Sequence, residues 1–178
     1  MKDMMLLVEP LIPALRRYAR VLLRDRAGAD DLVQDCLERV VARWHQRRAD
    51  GDARTWVFSI LHNLAMTRLS RSRRGWHVAL EDADEAATAA PPTQEHGVMH
   101  KDLMRALDTL PEEQRSVLLL VSVEDLSYAE AARVLNIPIG TVMSRLSRAR
   151  EKLLRATEAA MEEKAPATGP RPWLRRVK

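Results

Sequence analysis

The chain has 178 residues, 46% apolar and only 4% aromatic, enough for one ordinary domain or two small ones and poor in the aromatics that fill strands. Lys and Arg number 29 against 25 Asp and Glu, a formal charge of +4, so a nucleic-acid partner has to be argued from where the charges lie. The single cysteine, Cys36, excludes an internal disulfide and a CxxC metal or redox pair.

The chain opens on Met4-Met5-Leu6-Leu7-Val8, closed by Glu9 and Pro10. This run is too short for the central region of a signal peptide, and no stretch approaches the ~18 apolar residues of a membrane span. A soluble, cytoplasmic protein without membrane insertion is expected. The first helical pattern runs from about Pro13 to Arg24, with Leu15, Tyr18, Ala19 and Leu22 at helical spacing. A second runs from about Ala29 to Arg47. There Leu32, Val33, Cys36, Leu37, Val40, Val41 and Trp44 form a wide apolar stripe, with Asp30, Asp31, Gln34, Asp35 and Glu38 elsewhere on the helix. A polar loop around Gly51 leads to a third helix from about Arg54 to Arg74, its stripe made of Trp56, Ile60 and Leu64 with Val57 and Leu61 beside them.

Between Gly75 and His100 there is no Lys or Arg, while Glu81, Asp82, Asp84, Glu85 and Glu95 flank a Pro91-Pro92 pair. Residues 75–100 therefore read as a flexible acidic linker between two small helical domains, residues 1–74 and 101–163. The fold class is all-α. His96 and His100 are spaced i, i+4, but two ligands without a third make no metal site, and no cofactor is expected.

The second domain opens with a short amphipathic segment, Asp102 to Leu110. Pro111-Glu112-Glu113 starts a helix through Val117-Leu118-Leu119-Leu120-Val121, since proline and acids suit a first turn. Ser127-Tyr128-Ala129-Glu130 has the form of a capping box. Its helix ends at Leu135-Asn136 before Pro138, and a last helix runs from about Gly140 to Glu163. Residues 164–178, with three prolines and a basic end, read as a disordered tail.

Ser127–Leu135, a tight turn and Gly140–Leu154 together form a helix-turn-helix, the unit that puts its second helix into the DNA major groove. On that second helix Val142, Leu146, Ala149 and Leu153 make the buried side. Thr141, Ser144, Arg145 and Arg148 share another face, where hydroxyls and guanidiniums suit base edges and phosphates. The third helix is the other basic region: no acid occurs from Ala53 to Leu80. Arg68, Arg71, Arg73 and Arg74 suit a phosphate backbone, and Asn63 can read a base edge. Trp56 and Phe58 offer stacking surfaces for a single strand, although Trp56 lies on the apolar stripe and reads as core.

Four motifs in order now resemble a known family. Asp30-Asp31-Leu32-Val33-Gln34-Asp35-Cys36-Leu37 resembles the acidic helix of domain two in bacterial sigma factors. Arg54-Thr55-Trp56-Val57-Phe58-Ser59-Ile60-Leu61-His62-Asn63-Leu64-Ala65 is similar to the promoter-melting helix that follows it. Leu110-Pro111-Glu112-Glu113-Gln114-Arg115, with Gly140 to Arg150, resembles domain four. Their order and spacing are those of the extracytoplasmic-function group of the sigma-70 family, over about Leu11 to Leu154.

The resemblance implies docking on the clamp of core RNA polymerase through Asp30, Asp31, Gln34, Asp35 and Glu38, with domain four on the flap. It implies that Asn63, Arg68, Arg71, Arg73 and Arg74 hold the −10 strand, and that the loop Arg47–Ala53 captures a flipped base. Thr141, Ser144, Arg145, Ser147 and Arg148 would read the −35 element. It further implies that the linker threads toward the active-site cleft and that an anti-sigma factor holds the chain inactive. Met143 departs from the group, whose members often carry a basic residue there. The competing reading is a stand-alone helix-turn-helix regulator, which has no use for the N-terminal half. No catalytic constellation is visible, so an enzyme is not expected.

Overall fold

The computed structural model describes residues 2–47, 51–76 and 103–164, and every regular element among them is a helix. The elements are α1 (Lys2–Val8), a 3-10 turn (Glu9–Leu11), α2 (Ile12–Leu23), α3 (Arg26–Arg43) and a second 3-10 turn (Trp44–Gln46). Then come α4 (Ala53–Trp76), α5 (103–108), α6 (Glu112–Ser122), α7 (Tyr128–Leu135) and α8 (Ile139–Lys164). The tail, most of the linker with His96 and His100, and residues 48–50 of the polar loop lie outside the described residues.

The helix ends have local causes. Arg24 closes α2 in the left-handed conformation at φ 60°. Asp25 then caps α3 by accepting a hydrogen bond from the Gly28 amide at 3.0 Å, which is why α3 starts three residues earlier than its apolar stripe indicates. A Cβ on residue 28 would stand 2.2 Å from that carboxylate, so a larger residue there would push the Asp25 side chain off its capping bond. Ser127 and Glu130 form the expected capping box, and Asn136 ends α7 at φ 52°. The short α1 was not legible as a helix; Met4 and Val8, one turn apart, are buried as it packs on α4.

The stripes are narrower than the sequence pattern. On α3, Leu32, Val33, Cys36 and Val40 are buried, whereas Val41 is exposed and Trp44 is half-buried against Trp56 at 5.9 Å. On α4 the inward line is Val57, Phe58, Leu61, Leu64 and Ala65, with Trp56 and Ile60 only half-buried. Phe58 is fully buried, so it is no stacking platform for bases. Each such Leu, Val or Phe contributes about 1.5–3 kcal/mol by leaving water. Burial also pushes the Cys36 thiol up to about 12, outweighing the opposing pull of Arg39 and leaving the sulfur an inert core group.

The two sequence domains do not sit apart. One continuous apolar core runs through both, with α2 packed on α6 and α4 packed on α7. Tyr18 of α2 meets the His62 ring of α4 at 2.9 Å. Arg24 reaches from α2 to the Asp108 carboxylate at 2.8 Å and to its carbonyl at 2.6 Å.

Candidate nucleic-acid interface

The helix-turn-helix is built as the pattern indicates. Val142, Leu146 and Ala149 of α8 are buried and Leu153 packs partly against the core. That leaves Ser144, Ser147 and Arg148 exposed on the outer side, with Thr141 half-buried. The Ser144 hydroxyl donates back to the Thr141 carbonyl at 3.1 Å, which leaves the hydroxyl oxygen free to accept. Arg145 departs from the expected face: its guanidinium is paired with Glu113 of α6 at 2.6 Å and only 24% exposed. Met143, 48% exposed, and Ile139, 46%, add an apolar element to the outer side that polar-face reasoning passes over. Helical spacing did place Met143 away from the buried line, and that was the available signal.

The predicted residues of the first domain fall on α3 and α4, which pack against one another. Asp31, Gln34 and Asp35 line an open groove of about 460 Å³ together with Arg39, Arg68 and Arg71. The structure thus brings two of the expected polymerase-docking acids, Asp31 and Asp35, with Gln34 and two of the expected −10 arginines to one groove. Arg68 is engaged there: it donates to the Gly28 carbonyl at 3.0 Å and lies 3.7 Å from Asp31. Asp30 points to α2, where Arg20 stands 3.2 Å away and Arg16 3.8 Å. Gln34, Asp35 and Glu38 are exposed, with Gln34 donating to Glu38 at 3.2 Å. Asn63 and Arg71 are exposed on α4, and the side chains of Arg73 and Arg74 lie outside the described residues.

The loop before α4 is organised by Asp52. Its carboxylate accepts from the amides of Arg54 at 3.1 Å and Thr55 at 2.9 Å, and from the Thr55 hydroxyl. Burial alone pushes this carboxyl up, but these hydrogen bonds outweigh it and hold it below its usual range. Arg47 lies over the Trp44 ring at 4.8 Å and bonds the Gly51 carbonyl, which folds the described part of the loop onto the end of α3. His62, midway along α4, is buried against Tyr18. Among the described residues there is no cluster of metal-ligating side chains, and no helix is long and apolar enough to cross a membrane.

Comparison with known proteins agrees with this layout. Residues 8–62 match the family model "Sigma2 domain of PhyR", and residues 100–153 match "Sigma-70, region 4". The chain is 35% identical over 145 residues to the ECF RNA polymerase sigma factor EcfG of Rhodopseudomonas palustris, covering 80% of this chain and 78% of that protein. It is 33% identical to the ECF sigma factor SigM of Mycobacterium tuberculosis, covering 79% and 70%. Among solved structures it resembles the sigma factor RpoE of Bartonella quintana in complex with the anti-sigma factor NepR. There the TM-score is 0.80 at 30% identity, over 89% of this chain and 98% of that one. With an acidic α3, a tryptophan-led α4 and a helix-turn-helix in that order, the chain belongs to the extracytoplasmic-function RNA polymerase sigma factors.

Proposed function

We propose that this sigma factor works in the cytoplasm by docking on core RNA polymerase, reading the −35 element with α8 and holding the −10 strand along α4. The observation that carries the reading is the outer side of α8. Ser144, Ser147 and Arg148 stand exposed there while the opposite side packs into the core. That is the disposition a major-groove helix needs. Melting without a nucleotide cofactor is then population shift: the opened strand is bound better than the duplex. An anti-sigma factor is the expected inhibitor, as NepR is the partner in the RpoE complex.

The test is run-off transcription from a genomic promoter pool with purified core polymerase, with and without the chain. Defined start sites that depend on the protein support the reading. No new transcripts, together with tight duplex binding in the absence of polymerase, would leave a stand-alone regulator. Arg148→Ala is expected to lower transcription through the −35 element about tenfold, equivalent to ~1.4 kcal/mol of lost base contact. Unchanged promoter preference would remove Arg148 from the reader.

For polymerase docking the exposed acids carry the expectation. Reversing Asp35 and Glu38 to lysine should weaken capture of the core enzyme by tenfold or more, with helicity by circular dichroism unchanged. Reversing Asp30 should act mainly through stability, because Arg16 and Arg20 already hold it. Equal capture by the Asp35/Glu38 variant would place the docking face elsewhere.

A further inference from the structure

The seam between the two halves contains one buried charge whose partners are all on the other side. Glu124 sits between α6 and α7, its side chain 1% exposed. The turn fixes it: the Glu124 amide bonds the Leu119 carbonyl, Leu126 bonds Leu120, and Asp125 takes φ 51°. Arg17 of α2 meets the carboxylate side-on, Nε to Oε1 at 2.8 Å and Nη2 to Oε2 at 2.7 Å. Arg54, at the start of α4, donates to the Glu124 carbonyl. Among the described residues, both carboxylate oxygens find their hydrogen bonds in the first domain and neither in the second.

This packing conflicts with promoter engagement, an argument that rests on the function proposed above. Elements at −35 and −10 lie about 25 base pairs apart, or about 85 Å at 3.4 Å per base pair. A compact body of this length has a radius of gyration of about 16 Å and so measures about 40 Å across. The two readers cannot reach both elements while α7 packs on α4. Residues 77–102 between them have a contour length of up to about 90 Å, which is enough to let them part. The closed form also covers the Arg54 end of the helix expected to hold the melted strand, while the outer side of α8 stays exposed.

We propose that the Arg17–Glu124 pair is a latch that closes the free chain on itself, and that promoter engagement requires its release. A half-buried ion pair suits that task better than added apolar contact. It fixes one arrangement through its geometry while adding little net adhesion, because both charges regain water on opening. Arg17 is half exposed and is the accessible half of the pair.

Small-angle scattering of the free full-length chain tests this without DNA or polymerase. The wild type is expected to scatter as one compact body. Arg17→Glu puts two carboxylates face to face and should raise the radius of gyration by at least a third, toward the ~25 Å of two tethered domains. Glu124→Gln keeps the shape, loses the charge and should give a smaller rise. Circular dichroism verifies that each variant is folded. A wild type that already scatters as two separate bodies, or folded variants that both stay at the wild-type radius, would overturn the latch.

A second reading is the concentration of chain that half-saturates core polymerase in run-off transcription. Removing the closed state should lower it about three- to tenfold for Arg17→Glu. An unchanged half-saturation would show that closure does not limit engagement and would overturn the functional part of the proposal. Failure of the proposed function itself would look different: no transcripts from wild type or variant, with the scattering difference intact.

Discussion

Arg115→Ala is expected to destabilise the protein by about 3 kcal/mol and to loosen the base of the helix-turn-helix domain. Arg115 is 2% exposed, and its guanidinium makes three hydrogen bonds to backbone carbonyls. Nε donates to the Leu107 carbonyl at 3.0 Å, and Nη2 donates to the carbonyls of Leu110 at 2.8 Å and Asp108 at 3.2 Å. These carbonyls belong to the end of α5 and the turn after it, where a helix runs out of intrahelical donors. One side chain thus caps α5 from within α6. Burial lowers the Arg115 pKa, and Arg24 adds to that, while the carboxylates of Asp108 and Glu112 oppose it. Truncation leaves the Leu110 carbonyl beside buried Leu107 and Leu110 without a donor, while the Leu107 carbonyl keeps the Leu110 amide and the Asp108 carbonyl keeps Arg24. Asp108 is also the partner of Arg24, so the loss extends to the seam with α2.

Urea unfolding followed by circular dichroism measures this directly. Arg115→Lys keeps the charge but offers a point donor in place of a planar fork, so it should recover only part of the loss. A shift below about 1 kcal/mol for the alanine variant would mean that water replaces the guanidinium, and that α5 needs no internal cap.

Features set by neighbours in sequence were legible before any coordinates. The Ser127–Glu130 box, the halt at Asn136 and the buried line Val142, Leu146, Ala149 each depend on residues within a few positions of one another. The motif around Arg115 was also visible, but not its task, because carbonyl acceptors carry no sequence signal. The errors on α4 share one cause. Trp56, Val57, Ile60, Leu61 and Leu64 make a broad apolar arc, and only the packed neighbours decide which edge faces inward. The centre of the arc shifted toward Val57 and Phe58 and carried His62 into the core. Arg145 and Arg68 were assigned to DNA by charge and spacing, whereas Glu113 and the Gly28 carbonyl engage them. The seam itself was invisible, since Arg17 and Glu124 are 107 residues apart and no local period joins them.

Acidification from pH 7.5 to 5 is expected to cost about 2 kcal/mol of stability through His62 alone. Burial lowers the His62 pKa from 6.5 to about 4 in the folded protein. The unfolded chain therefore takes up a proton near pH 6.5 that the folded chain refuses. The stability this group contributes is complete above pH 6.5, falls by about 1.4 kcal/mol per pH unit below it, and stops falling near pH 4. Asp52 and Glu130 also lose their contribution as pH falls, since their folded pKa values are lowered by hydrogen bonds. Their unfolded values, 3.8 and 4.5, put that loss below pH 5. Urea midpoints between pH 7.5 and 5 therefore isolate the histidine. His62→Gln, which retains a polar partner for Tyr18, should flatten the pH dependence in that window; an unchanged slope would mean that another group carries it. Tyr18 lies on α2, which packs on α6, so a proton forced onto His62 disturbs packing next to the seam. The same acidification should then raise the scattering radius before the helices melt. A radius constant until global unfolding would confine the effect to the first domain.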